Sequence, residues 1–412
     1  MAYVILDPVG RYPSELLTFL GGIGKAAIAV FTSDARHALW RGKWSRTLGA
    51  HVVETYVASE WPTVAALAAE IRLHRPFLEG VIPWDEETVL YGARLGELLG
   101  LSWNSLEVMR RCRDKALMKA WLRSRGNVRV NASQVVTDGV AALAFQRAVG
   151  TWPVVVKPTA GSGSEDVYFP TSDAELLRDC ARVKTGGGDV LLEEYIGGDE
   201  IVVNGIVDGR GDLLVTDVWH YDRRTSHGIP NLFYQTWRVP THAPVFVQVA
   251  RYAADVVEAL ELRRVPIHME VKVDARGPCL IEVGARFGGG NLAILGSKLH
   301  GRSLLELAAC QYLAHIPLRA ADLDIARYDR LEARVVHGIQ TYEIPRISQV
   351  HGVAEVQALP SFDEFGTVRS VGMRAPVTRD LDTAAWELYL IHDDPRQIAS
   401  DASAAHEALR YS

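Results

Sequence analysis

The stretch HMEVKVDARGPCLIEVGARFGGGN, residues 268–291, decides the reading of this chain. Apolar Met269, Val271 and Val273 alternate with His268, Glu270 and Lys272, the period of a strand with one buried face. After Ala275–Arg276–Gly277, a second run alternates Cys279, Ile281 and Val283 with Leu280, Glu282 and Gly284. The two runs make a hairpin centred on residue 276, a register that sets Glu270 opposite Glu282. Like charges facing each other across a strand pair repel, so the pair calls for a cation or a shared proton. A hard divalent ion is the simplest answer, and Mg2+ held by two carboxylates and a substrate's phosphates fits it. Neutralisation by Lys272 and Arg286 without a metal stays open. Past the second strand, Arg286 leads into Phe287 and the glycines 288–290. Glycine lets a backbone approach a ligand closely, and a guanidinium beside it suits a phosphate or an oxyanion.

Working upstream, lysines carry information because only 8 of the 44 basic residues are lysine. Lys157 ends the apolar run Val154–Val156 and precedes Pro158 and TAGSGSED, residues 159–166. A strand, a lysine and small residues including Gly161, Ser162 and Gly163 suit a flap whose N–H groups cradle phosphates. Lys115 follows Asp114 within Leu106–Arg125, which reads as one helix with Asn104 or Ser105 as N-cap and Gly126 at its end. For each lysine, a solvated surface position is the competing reading. Lys43 and Lys119 have no comparable setting and read as surface lysines. In LLEEYIGGDEIVVN, residues 191–204, a strand runs into Glu193, Glu194, Tyr195 and Ile196, then two glycines and Glu200. Backbone groups at such a strand end can pair with a nucleobase edge, and a following carboxylate can accept from ribose hydroxyls. Solvated acids at a strand end are the competing reading.

The rest of the chain supplies the frame. Apolar runs at 2–6, 26–31, 52–57 and 80–82 alternate with helical patterns at 14–20, 63–73 and 86–99, which predicts parallel βαβ units. Residues 151–215 turn strand-rich, 245–262 make an amphipathic helix, and 303–315 another. The last eighty residues read as mostly β, through 334–340, 353–357 and 366–374, with a final helix. The segments 219–224 and 227–237, rich in aromatics, Arg and His, read as a substrate loop or an ordinary crossover. The 412 residues suggest two or three domains. With 48% hydrophobic and 23% charged residues, disorder and a disulfide scaffold are poor fits. The four cysteines show no zinc spacing. A net charge of −6 does not point to nucleic acid or a membrane surface. With no long apolar run and no basic leader, the expectation is a soluble cytoplasmic protein.

Taken in order, Asp114–Lys115, PVVVKP with its glycine loop, LLEEYIGGDE, and MEVKV with LIEVGAR resemble the ATP-grasp superfamily over roughly residues 105–310. The His-x-Glu start, the Gly-Ala-Arg end and the long C-terminal segment are most similar to its L-amino-acid ligase, or dipeptide synthetase, branch. The resemblance implies α/β and α+β architecture: an ATP-grasp fold with a Rossmann-like N-terminal βαβ domain and a mostly β C-terminal segment. The implied divisions are 1–104, 105–310 with a lid at about 125–195, and 311–412, the last completing the catalytic domain. It also implies roles. Lys115 and Lys157 would contact the α/β phosphates, with Gly161, Ser162 and Gly163 in a lid that is mobile without nucleotide. Glu193 would sit at the adenine amino group, the backbone of Glu194 and Ile196 would pair with the base, and Glu200 would hold the ribose. Glu270 and Glu282 would ligate Mg2+ or Mn2+, and Arg286 would stabilise the transferred phosphoryl group or the tetrahedral intermediate. His268 would orient the substrate carboxylate or simply cap its strand. Many relatives carry Asn two residues after the second metal-binding Glu; here that place is Gly284.

The implied activity is an ATP-dependent, ADP-forming carboxylate–amine ligase, joining an amino acid or similar carboxylate to an amine through an acyl phosphate. The expected partners are small-molecule substrates, with no nucleic acid and no membrane; a large apolar helix face in the N-terminal domain would suit, without requiring, a homodimer. Two rivals are a carboxylase using bicarbonate and a nucleotide-binding protein that no longer catalyses.

Overall fold

The computed structural model describes residues 2–101, 103–161, 166–313 and 318–412. Ser162 and Gly163 of the expected phosphate flap lie outside the described residues.

Four short strands open the chain: β1 (Ala2–Leu6), β2 (Ala26–Phe31), β3 (Val52–Val57) and β4 (Leu78–Ile82). They form a parallel sheet in the order β3-β2-β1-β4. β1 is apolar and buried throughout, as a central strand covered on both faces must be. β3 alternates partly buried and exposed positions, as suits an edge. Helix Arg11–Gly22 connects β1 to β2, short helical segments beginning with Asp34–Leu39 connect β2 to β3, Val64–His74 connects β3 to β4, and Val89–Leu99 follows β4.

A small antiparallel sheet follows, β5 (Ser133–Val136), β6 (Val154–Pro158) and β7 (Val190–Glu194), in the order β5-β7-β6. Helices Gly139–Val149 and Asp173–Thr185 pack on it through Phe145, Leu176 and Val183.

The largest sheet has eight antiparallel strands. It joins β8 (Asp199–Val207), β9 (Leu213–Ser226), β10 (Ile229–Arg238), β11 (Val265–Asp274), β12 (Gly277–Gly284), β13 (Glu332–His337), β15 (Phe362–Val368) and β16 (Trp386–His392). The order is β12-β11-β8-β9-β10-β13-β16-β15. The short β14 (Val350–His351) and β17 (Arg410–Tyr411) pair separately. Helix Pro244–Leu260 lays Val249, Ala253, Val256 and Leu260 on one face of the large sheet, against Val203, Ile267, Met269 and Val271. The alternation read in β11 thus sends the apolar set to this core. His268, Glu270 and Lys272 go to the other face.

Four expectations are corrected. Leu106–Arg125 is two helices, Leu106–Arg113 and Lys115–Arg125. Asp114 takes an extended backbone and accepts from the N–H groups of Ala116 and Leu117, so it caps a new helix rather than continuing the old one. Residues 353–357 are helical, begun by Gly352 in the left-handed region. Residues 219–224 and 227–237 fall largely within β9 and β10, a hairpin of the large sheet and not a loop. Lys119 is fully buried. No described helix is long and apolar enough to cross a membrane.

Candidate functional site

The hairpin β11–β12 pairs Glu270 with Glu282. Its geometry differs from the symmetric form the sequence suggested. Asp274 pairs with Gly277, so the turn is the two residues Ala275 and Arg276. That register would set Glu270 against Ile281, but an irregularity beyond Val271–Leu280 absorbs Ile281 and brings Glu282 opposite Glu270. Ile281 and both glutamates line a cavity of about 920 Å3.

The charges around this pair are set by neighbouring elements. Lys115, the first residue of its helix, places Nζ 2.9 Å from the Glu282 carboxylate and donates to the carbonyl of Gly161 at 3.0 Å. Burial alone would push the Glu282 carboxyl up; Lys115 and Lys157 more than reverse this and hold it well below the usual range. Of the neutralising partners suggested by the sequence, Arg286 helps lower the Glu282 carboxyl through its charge, although both it and Lys272 make their direct ion pairs elsewhere. Lys272 binds Glu200 at 2.8 Å, and Arg286 donates from Nε to Glu86 at 2.7 Å. Gly284 now has a reason: a Cβ there would lie 3.0 Å from the Arg286 guanidinium and 3.2 Å from Glu86. An asparagine there would require the Arg286 and Glu86 side chains to give way.

His268 is buried, and Gly288 passes so close that a Cβ there would lie 2.5 Å from its Nδ1. Asn204 donates its amide to Asp217 at 2.6 Å, which leaves Asn204 Oδ1 to accept from His268 Nδ1 at 2.8 Å. His268 therefore donates from Nδ1, and its Nε2 faces Glu270, 3.8 Å away.

At the other end of the cavity, Glu193 is buried between Lys119 at 2.6 Å and Lys157 at 3.0 Å. Burial raises its carboxyl, but the two ammonium groups win and hold it at about 2. Lys119, with no exposed surface, is pushed down to about 8 by burial against the pull of Glu193. Its Nζ also donates to Asn131, whose amide donates to the carbonyl of Glu194 at 2.8 Å. The Glu193 side chain is thus held by the two lysines and by the Asn131 amide, which donates to it at 3.4 Å. The Glu194 side chain accepts from Arg276 at 3.2 Å, and Ile196 is buried at the cavity wall. Glu200 is gripped by Arg223 at 2.7 Å and by Lys272, which lies directly across from it on β11. These cations overcome burial and lower its carboxyl.

The structure brings Lys115, Lys157, Gly161, Glu193, Glu194, Ile196, Glu200, His268, Glu270, Glu282 and Arg286 to one cavity. Sequence reasoning missed Lys119, Glu86 and Asn131, and reached Arg223 only as part of the segment 219–224. Only Lys119 left a signal: four residues after Lys115, it shares a helix face with it. Among the described residues no group of three or more His, Cys, Asp or Glu could hold a metal alone.

Residues 151–293 match the family model of an ATP-grasp domain. The chain is 27% identical over 221 residues to dapdiamide A synthase of Enterobacter agglomerans, covering 52% of this chain and 51% of that protein. It is 22% identical over 264 residues to the L-arginine-specific L-amino acid ligase of Bacillus subtilis, covering 62% of each. The match thus spans less than two thirds of either relative. The crystal structure of an L-amino acid ligase from Bacillus licheniformis overlays on 100% of this chain and 98% of its own, with a TM-score of 0.77 at 16% identity.

Proposed function

We propose that this chain, which belongs to the ATP-grasp superfamily, is an ADP-forming ligase that joins a carboxylate, such as an amino acid, to an amine. The observation that carries the reading is the opposed pair Glu270–Glu282 in one cavity with Lys115, Lys157 and Arg286. Two carboxylates side by side, with too few protein donors for a closed metal cage, suit a divalent ion that completes its shell with phosphates and water. Mg2+ or Mn2+ on Glu270 and Glu282 would neutralise charge on the nucleotide's phosphates.

The chain's own groups divide the remaining work. Lys115 and Lys157 hold phosphates, and in the absence of nucleotide they rest on Glu282 and Glu193. The backbone of Glu194 and Ile196 reads the base, Ile281 forms part of the wall beside it, and Glu200 accepts from the ribose. The substrate carboxylate attacks the γ-phosphorus, the bond to the leaving ADP oxygen breaks, and an acyl phosphate forms. The amine nitrogen then attacks the acyl carbon, sheds a proton, and phosphate departs. Arg286 faces the oxygen that gains charge in that second step. His268 positions the substrate acid beside Glu270. In this reading the lid is the β5–β7 sheet within about 125–195. The divisions fall near 104 and 310, with residues from 311 completing the large sheet.

The test is phosphate release with ATP and Mg2+ across pairs of the twenty amino acids, with products identified by mass. A new amide from an acid–amine pair supports the reading. Stimulation by bicarbonate alone would replace it with a carboxylase, and no turnover with any pair would leave a nucleotide-binding protein.

A further inference from the structure

The glycine loop that closes the site is fastened by groups from opposite ends of the chain. Arg286 donates to the carbonyl of Phe287 at 3.0 Å, the Tyr12 hydroxyl donates to that of Gly288 at 3.0 Å, and the N–H of Leu292 donates to that of Gly289 at 3.5 Å. The carbonyl of Gly290 meets the Tyr389 hydroxyl at 2.6 Å. Every carbonyl from 287 to 290 is therefore tied down. Among the described residues the N–H groups of Gly288, Gly289 and Gly290 take no hydrogen bond, so they remain for a ligand in the cavity.

Tyr389 has a second partner. Its hydroxyl oxygen also contacts Oε1 of Glu387, a buried carboxyl on the same strand. Three oxygens in series, Glu387 Oε1, Tyr389 Oη and Gly290 O, need two protons for two hydrogen bonds. The tyrosine has one. If Glu387 were ionised, the tyrosine proton would serve either the carboxylate or the carbonyl, and the other contact would set two acceptors face to face. If Glu387 is a carboxylic acid, it donates to Tyr389, Tyr389 donates to Gly290, and both contacts are satisfied. Asn291 Nδ2, at 3.4 Å from Tyr389 Oη, adds a donor and asks for no further proton.

The surroundings agree. His337 on β13 places Nδ1 3.6 Å from Glu387 Oε2, but burial pushes this imidazole down to about 3, so it brings no charge. On β15, Thr367 pairs with Glu387, and the missing side chain of Gly366 leaves room for the carboxyl. Tyr12, from the first helix, faces the same region as a neutral phenol. Arg223 acts on His337 from further off. Burial without a facing cation raises the Glu387 carboxyl to about 7.

We propose that Glu387 is a positioning residue: as a neutral carboxylic acid it directs the Tyr389 hydroxyl onto the Gly290 carbonyl and so fixes the glycine loop with its N–H groups toward the reacting phosphoryl or acyl group. The catalytic consequence rests on the ligase reading; the protonation and the pinning do not. Two measurements test them without turnover. In the infrared difference spectrum of wild type minus Glu387→Gln, taken below pH 7, a band of a protonated carboxyl is expected from the wild type. Its absence overturns the proposal. Hydrogen exchange of the amides of Leu292 and Ala293, which donate to the Gly289 carbonyl and the Tyr12 hydroxyl, corrected for the intrinsic pH effect, is then compared below and above pH 7. In the wild type, protection should fall roughly tenfold on going above. Glu387→Gln keeps a donor to Tyr389 that does not titrate, so its protection should stay level. Tyr389→Phe should be unprotected at both. A Gln variant that titrates like the wild type, or a Phe variant as protected as the wild type, overturns the pinning. In turnover, Tyr389→Phe should lower kcat with the KM for ATP held. If exchange behaves as stated but no acid–amine pair turns over, the ligase reading fails and the pin stands.

Discussion

Arg286 enters the cavity already oriented, its Nε on Glu86 and one terminal nitrogen on the carbonyl of Phe287. A guanidinium so fixed spends no reorganisation when an oxyanion develops, and losing such a donor costs about 3–4 kcal/mol of barrier. Arg286→Ala is therefore expected to lower phosphate release some 10²–10³-fold while the KM for ATP changes little; normal turnover removes Arg286 from the chemistry. Glu193 makes a prediction of a different kind. Its carboxyl stands at about 2 in the folded chain against an ordinary 4.5, so its stabilising effect is fully present above pH 4.5 and is lost as pH falls toward 2. Lys119, at about 8 against 10.5, is held by the unfolded chain more tightly as an ammonium, so stability rises with pH across that upper window. Glu193→Gln should flatten the acid limb of a urea-denaturation profile and destabilise the protein at neutral pH, because two buried lysines lose their counter-charge. An unchanged acid limb would show that the buried cluster does not govern it. Glu270 and Glu282 were legible in the sequence because strand alternation and a short turn are local. Lys119 was not. Its burial comes from Glu193, 74 positions later, and from Asn131, neither of which its own neighbourhood announces.

Local pattern recovered the elements more readily than their ends. The four parallel strands and the helices read at 14–20, 63–73 and 86–99 fall close to where the pattern put them, whereas the helical segments Asp34–Leu39, Trp40–Trp44 and Ser45–Leu48 between β2 and β3 gave no such pattern. The split at Asp114 escaped because both flanks are good helix formers; only the side chain's competition for two backbone N–H groups breaks the helix. That break aims Lys115. The N–H of Lys115 donates to the carbonyl of Thr159 at 2.9 Å, fastening the new helix to the end of β6. Asp114→Ala is expected to cost about 1 kcal/mol of stability by urea denaturation and to raise the KM for ATP severalfold, with Asp114→Ser restoring most of both. If the KM does not move, the cap serves folding alone. The hairpin teaches the same lesson from the other side. A wrong turn length and an unforeseen irregularity at Ile281 cancel, so the sequence reached the right carboxylate pair through the wrong register.

Assembly of the whole molecule is what no local pattern shows. The parallel sheet and the large antiparallel sheet share one apolar cluster, in which Tyr12 and Leu16 meet Phe287, Ala293 and Leu305. The carboxyl ends of β1 and β4, neighbours in the sheet, open toward the cavity, the place where ligands gather in open α/β sheets. From the first comes Tyr12, holding Gly288; after the second come Trp84 and Glu86. Glu86, which lines the cavity together with Asp85, accepts from Arg286, 200 positions away in sequence. A hydrogen bond to a charged group is worth about 1.5–3 kcal/mol, roughly ten- to a hundredfold in an equilibrium or a rate. Glu86→Ala should lower kcat within that range and move the KM for ATP less, because Glu200 and Lys157 have their own partners and Lys115, though it feels the Glu86 charge, is held by Glu282. If Glu86 acts only by orienting Arg286, the double variant Glu86→Ala/Arg286→Ala should turn over no more slowly than Arg286→Ala alone. Additive losses would mean that Glu86 meets the substrate directly, and the N-terminal sheet would then contribute a binding group instead of a brace.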